Sequence, residues 1–166
     1  MSTDEAILPL VTIDANIPLA VAFPRASRMS PEDIEGARRV MHALDRKKIA
    51  VVIPSIALGE MKWVYIREGR SGFEIIQHRL QVALKDRIDI IDISAELAIQ
   101  AAEYRGKYYS RQHPFSYNDG LYLAVAVSSG VQYLISADTH LLKIEEVETL
   151  QPRDFLLPET GEANER

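Results

Sequence analysis

Four acidic residues stand where apolar runs end or begin. Asp14 closes "LPLVTID", Asp138 follows the apolar stretch in "YLISAD", and Asp119 heads "NDGLYLAVAV", a run otherwise suited to a protein interior. Glu60 has Ile56, Ala57, Trp63 and Val64 one helical turn away, a pattern that sets it on an apolar face rather than among solvated charges. Carboxylates grouped without histidine or cysteine select hard cations, Mg²⁺ or Mn²⁺. Such a set best supports phosphoryl hydrolysis, in which the metal orients and acidifies a water and stabilises charge on the attacking and leaving oxygens. The chain has no cysteine, which removes disulfides, thiolate zinc sites and a cysteine nucleophile together. Its four histidines show no H-x-H or H-x3-H spacing, which argues against a histidine-rich metal centre.

The four acids can meet only if the elements carrying them converge. Strand-like apolar runs fall at 8–14, 49–54, 87–93 and 131–136, with a possible fifth at 147–150. Helical patterns lie between them. The stretch 30–48 opens with Ser30, Pro31 and Asp33 as a capping box and carries Ile34, Ala37, Val40, Met41 and Leu44 as its apolar stripe. Further helices are expected from Ser55 to about Arg67, over 73–85, and from Ser94 to about Lys107. The apolar run after Ser116 makes a buried helix ending at Gly130. Strands alternating with helices imply a parallel sheet covered on both faces, a three-layer α/β/α sandwich. Its strands are continuous apolar runs, as burial on both sides requires.

Ligands of open α/β sheets sit beyond the carboxyl ends of the strands. Asp14 and Asp138 reach that edge by connectivity. Glu60 lies near the start of the helix that leaves it. About eleven helical residues at 1.5 Å each carry the chain from Asp119 back across the sheet, so Asp119 belongs at the same edge. Singly, each acid has a plainer account: an Asx-turn in "DAN" for Asp14, a turn cap before "THLL" for Asp138, a favourable helix dipole for Asp119. Four such accounts do not explain a shared edge.

Composition narrows the partners only loosely. The net charge of −5 argues against nonspecific nucleic-acid binding through bulk positive charge. Without the four acids and the tail "ETGEANER", which together carry −6, the remainder is nearly neutral at +1. No stretch approaches the roughly 18 apolar residues of a membrane span, and "MSTDEAILPLVTID" does not read as a signal peptide. One domain over 1–157 with a flexible polar tail at 158–166 is expected.

The sequence resembles the PIN domain family of metal-dependent nucleases, above all the VapC-like toxin ribonucleases of toxin–antitoxin pairs, from about Val11 to Leu157. "VTIDANI" resembles the opening motif, with Asp14 as its acid and Asn16 at a small polar position. "IPSIALGEM" assigns the second acid to Glu60, and "SYNDGLYLAVAV" the third to Asp119, with Ser116 three residues before it. "LISADTHLL" places Ser136 two residues before Asp138, and "ELAIQAAEYRGKY" is also in the family's style. The resemblance implies a sheet of order 3-2-1-4-5, Mg²⁺ or Mn²⁺ at Asp14, Glu60, Asp119 and Asp138, and support from Asn16 and Ser136. It further implies endonucleolytic cleavage of RNA, an antitoxin protein partner, a homodimer and a cytoplasmic location without membrane attachment. Two features depart from the pattern: the long stretch "FPRASRMSPEDIEGARRV" (23–40) and glycine at position 120, where alanine is common.

Arg25, Arg28, Lys62 and Arg67 are candidates to steer RNA, and His140 to contact a phosphate. Two other readings stay open. A phosphatase with Asp14 as nucleophile would need a second aspartate that "DANIP" lacks, and a PIN-like module could bind RNA or protein without cutting.

Overall fold

The structure is a computed structural model that describes residues 8–156; the tail expected at 158–166 lies outside them. Five short strands form one parallel sheet: β1 (Leu10–Ile13), β2 (Ala50–Pro54), β3 (Ile88–Ile91), β4 (Tyr133–Ile135) and β5 (Glu148–Leu150). Their order is β3-β2-β1-β4-β5. Register aligns Val11 with Val51 on one side and with Tyr133 on the other, so β1 is central and all carboxyl ends share one edge. Helices flank the sheet: α1 (Asn16–Ala22), α2 (Pro31–Asp45), α3 (Ile56–Arg67), α4 (Phe73–His78), α5 (Ala95–Tyr108) and α6 (Tyr117–Ser128). The three-layer fold and the strand order agree with expectation.

The strands are shorter than the apolar runs suggested. The expected helix over 73–85 divides at His78, where the backbone widens into a π-helical turn over Arg79–Ala83. Helix α1 went unforeseen because it is only seven residues long and contains Pro18. That proline sits in the first turn, where its missing N–H costs nothing.

Helix α6 is buried continuously from Gly120 to Ala126, so it crosses the interior and offers polar groups chiefly at its ends. It lies tightly against α5. A Cβ on Gly120 would come within 2.4 Å of the Ala101 carbonyl oxygen, which is why glycine occupies this position. Helix α2 is held just as closely, since a Cβ on Gly36 would meet the backbone of Pro152 at 2.2 Å. Asp33 adds a fork to the same contact, accepting from Arg153 Nε at 2.9 Å and Nη2 at 2.6 Å. The capping box expected at Ser30 is therefore half made: Ser30 Oγ accepts from the Asp33 amide, while the Asp33 carboxylate turns to Arg153. The long stretch after β1 thus serves mainly as a scaffold that seats the turn Pro152–Asp154.

Gly120→Ala is expected to lower stability by roughly 1–3 kcal/mol through overpacking, read as a drop in thermal midpoint. For Asp33, burial pushes the carboxyl up, but the bonds from Arg153 and Ser30 outweigh it and hold the group below the ordinary aspartate value. A depressed acid stabilises above its unfolded pKa, and that contribution is lost as pH falls through the folded one. Asp33→Asn should therefore melt earlier than wild type at neutral pH, with the difference shrinking below about pH 4. A constant difference across that range would refute the ion pair.

Candidate functional site

The central strand delivers Asp14 directly to the carboxyl edge, and its carboxylate is nearly buried at 9% exposure. Oδ1 accepts from the Asn16 amide at 3.0 Å, closing an Asx-turn that starts α1. Oδ2 accepts from Ser136 Oγ at 2.9 Å, and the same hydroxyl accepts from the Asp138 amide at 3.0 Å. Ser136, fully buried, thereby joins the ends of β1 and β4. Asp138 Oδ1 accepts from the His140 amide at 2.8 Å. Asp119 forms a true capping box with Ser116: its amide donates to Ser116 Oγ at 3.0 Å, and Ser116 N–H donates to Asp119 Oδ2 at 2.6 Å. Glu60 is held from both sides, by Tyr122 Oη at 2.6 Å and Asn118 Nδ2 at 2.8 Å.

These carboxylates, from four segments, line one recess of about 340 Å³ together with Asn16, Ser116, Asn118, Tyr122 and Trp63. The turns expected at Asp14 and Asp138 are real, Asp119 makes a capping box that was not expected, and these bonds aim the three at a common space. A second groove of about 530 Å³ adjoins the recess, sharing Asn16, Leu19, Val64 and Asp138, and is walled by Phe23, Arg28 and Arg67. Lys62, a candidate to steer RNA, turns away instead to Glu74 at 3.3 Å and to the face of Phe73. Arg25 lines neither recess.

A model of the PIN domain matches residues 11–147, most of the chain. The chain belongs to the PIN domain family. Solved structures with the same fold include VapC20 of Mycobacterium tuberculosis, a sarcin–ricin loop cleaving toxin. It has a TM-score of 0.61 and 18% identity, over 83% of this chain and 98% of that one. VapBC2 of Rickettsia felis, solved on a DNA fragment from its promoter, gives a TM-score of 0.58 and 19% identity over 86% and 98%. A toxin–antitoxin complex from Klebsiella pneumoniae gives 0.57 and 20% over 86% and 97%. At these identities the likeness is one of fold. Among curated protein sequences none matches this chain.

In this PIN domain the acids form one electrostatic cluster. Burial pushes the Asp14 carboxyl up, the bonds from Asn16 and Ser136 oppose it, and the charges of Glu60 and Asp119 push further, to about 6. Asp119 is also raised, first by burial and then by the charge of Asp138, against its bonds to Ser116. Among the described residues, none of the four acids forms an ion pair, and no three stand close enough together to make a finished metal ligand set. Their oxygens are directed instead by the serine, tyrosine and asparagine donors just described.

Sequence reasoning missed Tyr122 and Asn118. Tyr122 Oη accepts from the Ala15 amide at 3.2 Å while donating to Glu60, linking β1's end, α3 and α6. Burial, then the charges of Asp14 and Glu60, raise its phenol well above the ordinary value. It was hidden inside an apolar run, but its place three residues after Asp119, on the same helical face, was a usable signal.

A carboxyl raised in the folded state makes folding harder as pH rises from about 4 to about 6, and the full penalty applies above that window. Asp14→Asn removes the charge and should raise the melting point of the protein in chelator at neutral pH. Up to about 3 kcal/mol is at stake, less the weakened bond to Ser136, and the gain should fade near pH 4. A variant less stable than wild type at pH 7 in chelator would contradict this account.

Proposed function

We propose that this PIN domain is a divalent-cation-dependent endoribonuclease that hydrolyses RNA phosphodiester bonds in the cytoplasm as the toxin of a toxin–antitoxin pair. One observation carries the reading: four carboxylates from four segments face one recess whose described lining includes no lysine or arginine, at a cost that Asp14 makes visible. An all-oxygen donor set with uncompensated charge suits Mg²⁺ or Mn²⁺. When bound, such an ion supplies charge neutralisation at the scissile phosphate and acidifies a water.

The chain's own residues divide the work. Asp14 and Asp119 would hold the ion, with Glu60 and Asp138 completing the set directly or through water. Ser136 fixes the direction of Asp14 and the backbone of Asp138, while Asn16 holds Asp14 through its amide. Tyr122 and Asn118 keep Glu60 turned toward the recess. Arg28 and Arg67, which wall the adjoining groove, would meet the substrate backbone. The toxin role is supported by the shared fold of VapC20 and of the toxin–antitoxin complexes; an antitoxin partner and a homodimer belong to the same proposal.

Cleavage of a mixed pool of structured and single-stranded RNAs should require Mg²⁺ or Mn²⁺ and stop in chelator. Asp119→Asn should cut at least roughly 100-fold more slowly with an unchanged circular dichroism spectrum. Mg²⁺ should raise the melting point of the wild type more than that of Asp14→Asn. Cleavage that persists in chelator, or at full rate in Asp119→Asn, would refute the site.

A further inference from the structure

Trp63 is 59% exposed, although a tryptophan normally covers most of its ring. It lies on α3 one turn beyond Glu60, and it lines the recess that holds the four acids. The buried face of α3 is made by Ala57, Met61 and Tyr65, so the fold does not use Trp63 as core. One further turn along stands Arg67, in the wall of the adjoining groove. Glu60, Trp63 and Arg67 thus form a row of carboxylate, aromatic ring and guanidinium along one side of α3. At 1.5 Å per residue the row spans about 10 Å.

We propose that Trp63 is a stacking platform for an unpaired base beside the scissile phosphate. The inference rests on the nuclease reading and names a substrate-binding residue for it. A ring open on one face accepts any base by stacking, whereas paired bases are already stacked on their neighbours. The guanidinium that follows suits the next phosphate. Arg67 is tied only through Nε to Glu68, a half-exposed surface pair at 3.1 Å of the kind that contributes little. Arg28, across the same groove, has no acidic partner among the described residues. The surroundings favour RNA over a protein segment. The walls near Trp63 are polar, with Asn16, Ser116 and Asn118 among them, while the apolar groove lined by Val21, Phe23, Tyr65, Ile75 and Ile76 does not include Trp63.

The chain holds a single tryptophan, so its fluorescence reports on this ring alone. In chelator, a short single-stranded RNA that the wild type cuts should quench the emission saturably, and the same sequence as a duplex should not. With Mg²⁺, Trp63→Ala should raise KM roughly tenfold while kcat changes little, and Trp63→Tyr should recover most of the loss; melting points check that both variants fold. Absence of quenching by that RNA, equal quenching by the duplex, or an unchanged KM in Trp63→Ala would overturn the platform and leave the nuclease standing. In those cases the exposed ring is better explained as a contact for a protein partner. Failure of the wild type to cut any RNA would instead overturn the nuclease reading, and the proposal with it.

Discussion

Placing a carboxylate at the end of the central strand is the constraint that organises this molecule. Asp14 follows Ile13 in the middle of the sheet and is nearly buried there. Its charge is tolerated because donors are built around it: the Asn16 amide in front and the Ser136 hydroxyl from the neighbouring strand. The start of α1 and the parallel pairing of β1 with β4 bring those donors into place. The remaining acids then make the same place more negative rather than less.

The geometry resolves a tension between scaffold and function. Turn formation and helix capping explain local features of Asp14, Asp119 and Asp138 well. They do not compete with a functional role, because each uses only part of a carboxylate's accepting capacity. The cap at Asp119 occupies Oδ2, and the Asx-turn at Asp138 occupies Oδ1. A small set of local rules thereby produces a convergent group from segments more than a hundred residues apart.

Much of this was legible in the amino-acid pattern. Continuous apolar runs marked four strands and pointed to a fifth, and the helices expected from Ser94 and after Ser116 are present as α5 and α6. The shared edge followed from connectivity for Asp14 and Asp138, from the start of its helix for Glu60 and from helix length for Asp119. Other features were not legible because they depend on contacts between distant segments. Asp33 accepts from Arg153, 120 positions away, as well as from its own cap residue Ser30. Gly120 is required by a carbonyl of α5, which no local rule reveals. Trp63 was taken as apolar company for Glu60, whereas the fold turns it outward, since periodicity gives a residue's angle on a helix but not which neighbours cover it. Tyr122 looked like core and is core, yet its hydroxyl ties three elements together.

That phenol has a consequence for how the site behaves as conditions change. Burial and two carboxylates acting on it hold its pKa well above the ordinary phenol value, so Tyr122 is a donor at neutral pH and below. The carboxyl of Asp14, by contrast, is pushed up only to about 6, chiefly by burial. The recess therefore pairs a responsive member with a fixed pin. Acidification can change the charge presented to a ligand while the arm of Glu60 keeps its position, so charge and shape are set by different atoms.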